Sequence, residues 1–189
     1  MDGVGIQRFA EATVAFGPAT SNTNETITVC WQERPTLQVG TVIAGYRLLK
    51  LLGKGGEGQV FAARSLRAEE PGQIVAIKLA PVKSVTPQSF EPNILAEAKL
   101  LMGVQHPGVV RVIQAGHVNG WDYSVMERIK GVSLHRFMRR HGAIPLSVAL
   151  DIAIQICDTL AHLHGHGPLQ PKQRLLHRDI KPSNVMLNE

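Results

Sequence analysis

Apolar and polar residues take up a regular period only from about Thr41 onward. Residues 1–36 are rich in Thr, Asn, Gly and Ala without a sustained pattern, so a loosely ordered leader is expected over 1–40, with one short strand at 26–31. Residues 46–52 and 59–64 read as strands flanking a glycine cluster, and 73–79 (QIVAIKL) as a third, rich in β-branched side chains. Residues 81–87 read as a connector. A helix is predicted from Pro92, which suits a first helical turn, to about Gln105, where His106-Pro107 stops it. Ile94, Glu97, Leu101 and Val104 share one face of it. Glu97 is the odd member, because a carboxylate on a core-facing stripe needs a partner. Two more strands follow at 109–116 and 123–127, and Asn119-Gly120 between them is a hairpin-turn signal.

Strands, one helix and strands again over 41–129 predict an antiparallel sheet with a single helix, an α+β arrangement and not the alternation of a parallel α/β fold. After Gly131 the pattern becomes helical. Residues 134–141 form a short helix and 145–164 a long one. In the long helix Ser147, Asp151, Gln155, Asp158/Thr159 and His162 make one narrow polar stripe. A helix apolar around most of its girth belongs in a core. The domain reading is a leader at 1–40, a sheet-rich unit at 41–129 and a partial helical unit at 130–189.

Composition narrows the class. With 44% hydrophobic and 19% charged residues in 189, the chain is neither low-complexity nor wholly disordered. Its net charge of +5 comes from scattered residues, with no basic run beyond Arg139-Arg140. It reads as a solubility term, and no nucleic-acid partner is expected. Cys30 and Cys157 are far apart and lack CxxC spacing, which suits separate thiols in a reducing compartment; a cytoplasmic location is expected. The N-terminus lacks the pattern of a signal peptide, and no uninterrupted apolar run approaches the length of a membrane span, so no membrane segment is expected. His162-x-His164-x-His166 falls at a helix end where alternate residues diverge, and no further ligand is evident, so it is not read as a metal site.

Three stretches carry candidate chemistry. Gly53-Lys54-Gly55-Gly56-Glu57-Gly58 fits GxGxxG, but Gln59-Val60-Phe61 after it looks like strand, not the helix of a dinucleotide fold. The cluster is a hairpin tip, either a plain turn or one whose backbone approaches phosphate. Lys78 ends the apolar Val75-Ala76-Ile77; alone it is the polar partner of an alternation, but beside Glu97 each buried charge answers the other. His177-Arg178-Asp179-Ile180-Lys181-Pro182-Ser183-Asn184 supplies a carboxylate, an ammonium and a carboxamide on a loop, because Pro182 bars a helix. Those groups can accept a hydroxyl proton, neutralise a transferring phosphoryl group and bind Mg²⁺.

These motifs, in this order, resemble the front part of a serine/threonine protein kinase catalytic domain, of the bacterial eukaryotic-like type that TVIAGYRLLKLLGKGGEGQVFAAR looks closest to. The resemblance covers about 46–187. It implies a kinase-like N-lobe followed by an incomplete helical C-lobe, with ATP and Mg²⁺ as cofactors. It implies that Gly53, Gly55 and Gly58 cover the phosphates, that Lys78 holds the α/β-phosphates and pairs with Glu97, and that Val60, Ala76 and Met186 sandwich adenine. Met126 matches the gatekeeper, and Glu127 and Ile129 the hinge that offers backbone hydrogen bonds to the purine. Asp179 matches the catalytic base, Lys181 the phosphate-neutralising lysine and Asn184 a Mg²⁺ ligand. Leu101, Val112 and His177 match members of the apolar column of active kinases.

There are departures. The family's Asp-Phe-Gly, activation segment and Ala-Pro-Glu would all lie beyond Glu189. Residues 164–176 lengthen the connector before His177 and read as a surface insertion. Glu57 stands where an apolar residue is common and is expected to face solvent. Loss of burial for five Leu/Ile side chains of the long helix would forfeit roughly 8–15 kcal/mol, against whole-domain stabilities of about 5–15 kcal/mol. Residues 130–189 are therefore expected to be poorly packed on their own. The expected reaction is ATP-dependent phosphoryl transfer to a protein Ser/Thr hydroxyl, with little or no turnover by this stretch alone. The competing reading is a non-catalytic nucleotide-binding module or scaffold completed by another chain that supplies a C-lobe.

Overall fold

Six antiparallel strands in the order β2-β3-β4-β5-β7-β6 build the first half of the molecule. They are β2 (Val42–Ile43), β3 (Tyr46–Gly55), β4 (Gly58–Ser65), β5 (Ile74–Pro81), β6 (Val112–Val118) and β7 (Trp121–Glu127). The computed structural model describes residues 6–9 (backbone), 36–56, 58–82, 94–165, 176–177 and 179–188. The strand predicted at 26–31, Cys30, Glu57, most of the connector at 81–87, His166 and Arg178 lie outside the described residues.

Tyr46 and Leu48 of β3, Phe61 and Ala63 of β4, Val75, Ile77 and Leu79 of β5, and Tyr123 and Val125 of β7 make one core. The β3–β4 ribbon outgrows that core. Beyond Lys50 the residues of β3 are exposed, yet pairing continues to Gly55↔Gly58. The strands are thus longer than predicted, since glycine backbone pairs without a side chain to pack. Asn119 and Gly120 both have positive φ (49° and 75°), the turn their sequence predicts between β6 and β7.

Helix α1 (Ile94–Leu101) ends earlier than predicted. The chain turns over Met102-Gly103 with a Val104 N–H to Leu101 O bond of 3.0 Å, so the helix closes on a tight turn before His106-Pro107 is reached. Val104 is still buried with Ala98, Leu100 and Leu101. Helix α2 (Leu134–His141) matches its prediction, capped by the Ser133 hydroxyl, which accepts from Arg136 N–H at 3.2 Å, and by Gly142 at φ 80°.

Helix α3 (Leu146–Gly165) is long and apolar enough to cross a membrane by length and composition alone, with a mean hydropathy of 1.4. The sequence reading looked for an unbroken apolar run, whereas an average tolerates Asp151 and Asp158. The helix is only partly enclosed, in line with the loss of burial expected over residues 130–189: Ile152, Thr159 and Leu163 are buried, but Leu146, Leu150 and Ile154 are 75%, 54% and 65% exposed. Thr159 is also not part of a solvated stripe. Its hydroxyl bonds Gln155 O at 2.8 Å, and it is buried against Gly108.

That contact joins the two halves. A Cβ on Gly108 would stand 1.9 Å from Thr159 Oγ1. Nearby, His106 Nε2 lies 3.3 Å from Asp158 Oδ2, its Nδ1 accepts from Gly108 N–H at 3.0 Å, and its ring lies 4.6 Å from that of His162. His162 is thus a packing residue. Among the described residues no group of three or more His, Cys, Asp or Glu is placed to hold a metal. Gly108→Ala should destabilise the chain by about 1–3 kcal/mol, the cost of overpacking. Thr159→Ala in the same chain should recover part of that loss. Urea melts of the two single variants and the double variant measure the coupling, and additive losses would show that the contact is not the cause.

A second sheet, in the order β1-β9-β8, combines strands from both ends of the chain. They are β1 (Ile6–Phe9), β8 (Gly131–Ser133) and β9 (Val185–Asn188). Val185 and Leu187 of β9 are buried in a cluster with Leu134 and Ile152. The leader therefore contributes a strand that its unpatterned sequence does not announce.

Candidate functional site

The glycine hairpin is the first wall of the site. No atom lies within 4 Å of where a Cβ on Gly53 or Gly55 would stand, so the backbone there borders open space. Gly58 is different. Its φ is +134°, and a Cβ would meet Leu79 O at 2.3 Å, so glycine is required for β4 to start against β5.

Lys78 is the second wall. In β5 it stands between Val60 of β4 and Ser124 of β7, and it is 7% exposed. It shares the lining of one narrow pocket with Glu97, Ile94 and Leu101 of α1 and with Ser124 and Met126 of β7. The sheet and the helix thus bring to one pocket the two charges that the sequence singled out. Ser124 was missed. It is a buried polar residue between Tyr123 and Val125-Met126, and such a break in a run was its only signal.

Beside this pocket Ala76, Val110 and Met126 form a small apolar cluster against which Val60 and Ile129 pack. Val60, Ala76 and Ile129 thus come together. Met186 does not join that cluster; it sits half-buried on β9 opposite Ser133. Glu127, at the end of β7, is clasped by Arg111: its N–H donates to Arg111 O at 3.0 Å, and its Oε1 accepts from Arg111 N–H at 2.6 Å. A sequence motif could not show that clasp, because Arg111 precedes β6 and Glu127 ends β7, sixteen residues later.

The loop before β9 gathers the remaining candidates. Lys181 Nζ lies 2.5 Å from Asp179 Oδ2. Asn184 Nδ2 donates to the same oxygen at 3.0 Å and to Asp179 O at 3.0 Å. Asp179 N–H donates to His177 O at 2.8 Å, and His177 is buried. Pro182 O accepts from His135 N–H at 2.9 Å, which ties the loop to the start of α2. The Lys181 ammonium, helped by the Asn184 amide and opposed by partial burial, holds the Asp179 carboxyl below the ordinary 3.8.

A depressed carboxylate pKa adds stability that is fully present above the unfolded value and is lost as pH falls through the folded one. The Asp179 contribution should therefore vanish on acidification from about pH 4 downward. Asp179→Asn should flatten that part of the curve of urea midpoint against pH. An unchanged curve would show that the Lys181 contact has no thermodynamic weight.

The profile of the protein kinase domain matches residues 46–189. The chain is 32% identical over 82% of its length to a Caenorhabditis elegans ribosomal protein S6 kinase beta. It is 31% identical over 79% of its length to the serine/threonine-protein kinase PknD of Mycobacterium tuberculosis. It spans only 26% and 21% of those relatives. Among solved structures, the Mycobacterium tuberculosis PknI kinase domain aligns with a TM-score of 0.62 at 25% identity, covering 82% of this chain and 59% of that one.

Proposed function

The chain belongs to the protein kinase domain family, and on that premise we propose that it is the ATP-binding front of a serine/threonine protein kinase. The observation that carries this reading is the meeting of Lys78 and Glu97 on the walls of one pocket. The residues fit the nucleotide. Gly53 and Gly55 leave room for phosphates, Lys78 offers a cation, and Val60, Ala76 and Ile129 offer an apolar bed for a purine. Gly58 holds the flap in register, whereas Met186, on β9 opposite Ser133, lies outside the cluster that forms the bed. Because Glu127 N–H is taken by Arg111, the purine contact there falls to the Glu127 carbonyl, with Ile129 contributing its own backbone. Asn184 would hold Mg²⁺ through Oδ1, since its Nδ2 faces Asp179. Bound Mg²⁺ supplies charge neutralisation on the phosphates.

Asp179 is the proposed base. Lys181 and Asn184 keep its carboxylate ionised and oriented, so it can accept the proton of a Ser/Thr hydroxyl as that oxygen bonds to the γ-phosphorus and the bond to the β–γ bridging oxygen breaks, ADP leaving with the electron pair. Lys181 then stands where charge develops on the transferring group. We assign the leader to 1–40, the nucleotide-binding lobe to 41–129 and the partial second lobe to 130–189, and we place the chain in the cytoplasm, which suits the exposed free Cys157.

The competing reading is a nucleotide-binding module without turnover, completed by a chain that covers α3. The exposed Leu146, Leu150 and Ile154 favour it. Calorimetric titration with Mg·ATP and radiolabel transfer from ATP to a mixed protein substrate separate the outcomes. The 189-residue chain should bind Mg·ATP and transfer little or no label. Absence of binding would remove the nucleotide reading; label transfer abolished by Asp179→Asn would show the chain to be competent by itself.

A further inference from the structure

Helix α2 has two unlike sides. Leu134 is buried with Ile152, Val185 and Leu187, and Phe137 packs on the same cluster, its ring 4.6 Å from that of His141. Arg136, Arg139 and Arg140 follow at i, i+3 and i+4, so they share the opposite side, and all three are exposed. Among the described residues no ion pair engages any of them.

The imbalance extends beyond the helix. Residues 128–150 contain five Lys/Arg (Arg128, Lys130 and these three) and no Asp or Glu. The rest of the chain holds 15 of each sign, so the whole net charge of +5 resides in this stretch. A count of bases makes the charge look scattered; the absence of acids shows where it sits. Cations in a last turn suit the helix dipole, which accounts for Arg139 and Arg140 but not for Arg136, Arg128 or Lys130. Like charges at i, i+3 and i+4 also repel, so the cluster costs helix stability. Helix α2 stands beside the loop that carries Asp179. His135 N–H donates to Pro182 O at 2.9 Å, and the N-cap Ser133 pairs with Met186 of β9. From His135 to Arg140 the helix rises about 8 Å, the reach of two or three extended residues.

We infer that the arginine side of α2 docks an extended polypeptide segment rich in Asp and Glu. Resting on the phosphoryl-transfer reading, that segment belongs to the protein substrate and lies within a few residues of its acceptor hydroxyl. Carboxylates suit the site because a guanidinium takes them with two parallel hydrogen bonds. A lipid surface suits it less, since the apolar side that a membrane-surface helix would bury is already in the core. Phe137, the only Phe, Tyr or Trp of the helix, packs there too, which leaves no such ring to stack the bases of a single-stranded nucleic acid.

Fluorescence anisotropy on the 189-residue chain tests this, with short labelled peptides that carry one Ser among Glu residues, or among Gln or Lys residues instead. The Glu peptide should bind, and the other two at least about tenfold more weakly. Arg136→Gln/Arg139→Gln/Arg140→Gln should lower the affinity for the Glu peptide about tenfold, the sum of three exposed charge pairs. Arg47→Gln/Lys50→Gln/Arg64→Gln removes the same charge from exposed positions of β3 and β4 and should leave that affinity unchanged. Equal losses in the two variants reduce the effect to net charge and overturn the inference, as does equal binding of the three peptides. Tighter binding of a labelled single-stranded oligonucleotide or of phosphatidylserine vesicles in the same salt also overturns it.

If the α2 variant has a lowered urea midpoint, charge reversal decides. Arg139→Glu/Arg140→Glu should lose the Glu peptide and gain the Lys peptide, and failure to gain it overturns the inference. The surface and the phosphoryl-transfer reading fail separately. Selective binding of the Glu peptide by a chain that does not bind Mg·ATP keeps the docking surface and removes its assignment to a substrate. Mg·ATP binding without selective peptide binding overturns the docking surface alone.

Discussion

Lys78→Met should weaken Mg·ATP binding by about 10- to 150-fold, the equivalent of the 1.5–3 kcal/mol typical of a hydrogen bond to a charged group. Methionine keeps the length and most of the volume of the side chain, so β5 still packs against β4 and β7. What goes is the cation in a pocket that retains Glu97. The effect should be larger than for an exposed charge, since Lys78 is only 7% exposed and solvent does little to screen it. Glu97→Gln should weaken binding less, because it removes an orienting partner and leaves the ammonium in place. The double variant should bind like Lys78→Met alone, and that non-additivity is the signature of a pair acting as a unit. Calorimetry on the four chains reads all of this. Equal affinity of Lys78→Met and the parent would mean that the pocket is not a phosphate site.

The parts of this arrangement that were legible in the sequence are those set by local pattern. The β-branched run in QIVAIKL and the spacing of Ile94 and Leu101 pointed to a strand and a helix, because each reports buried surface: five successive residues of β5 and one side of α1. Asn119-Gly120 marked its turn through a residue-specific backbone preference. The oddity of Glu97 was legible for the same reason: a charge on an apolar stripe breaks a local rule, and its answer, Lys78, broke one too.

Non-local facts were hidden. The pairing of β1 with β9 joins the two ends of the chain, and four residues are too few to show a period. The Arg111–Glu127 clasp and the fit of Thr159 over Gly108 are tertiary contacts between residues that look unremarkable in their own segments. The length of α1 was misjudged because the chain already turns at Met102-Gly103, ahead of the more conspicuous His106-Pro107. Helix α3 shows the limit most clearly. Its sequence states that nearly all of its girth is apolar, but which part of that surface is covered depends on what packs against it.

That division within α3 yields the second large effect. Leu163→Ala should cost about 2–5 kcal/mol, as do other large-to-small changes in cores. Leu163 is 1% exposed and is packed with Leu100, Leu101, Val104, Val109 and Val112. Those residues belong to α1 and the segment leading into β6, so the loss falls on the seam that seats α3 against the sheet-bearing half. Leu150→Ala, thirteen residues earlier on the same helix, should change stability by no more than about 0.5 kcal/mol, because Leu150 is 54% exposed. Urea melts followed at Trp121, in β7, report whether the sheet itself is destabilised. A fall for Leu163→Ala in far-ultraviolet ellipticity that precedes the Trp121 transition would mean that α3 detaches first. Since a domain is stable by only about 5–15 kcal/mol, the loss of this one contact removes a large share of the margin that keeps α3 seated on the sheet-bearing half. Equal losses for Leu163→Ala and Leu150→Ala would show that the exposed face of α3 is covered in solution and that the seam is not where the two halves are joined.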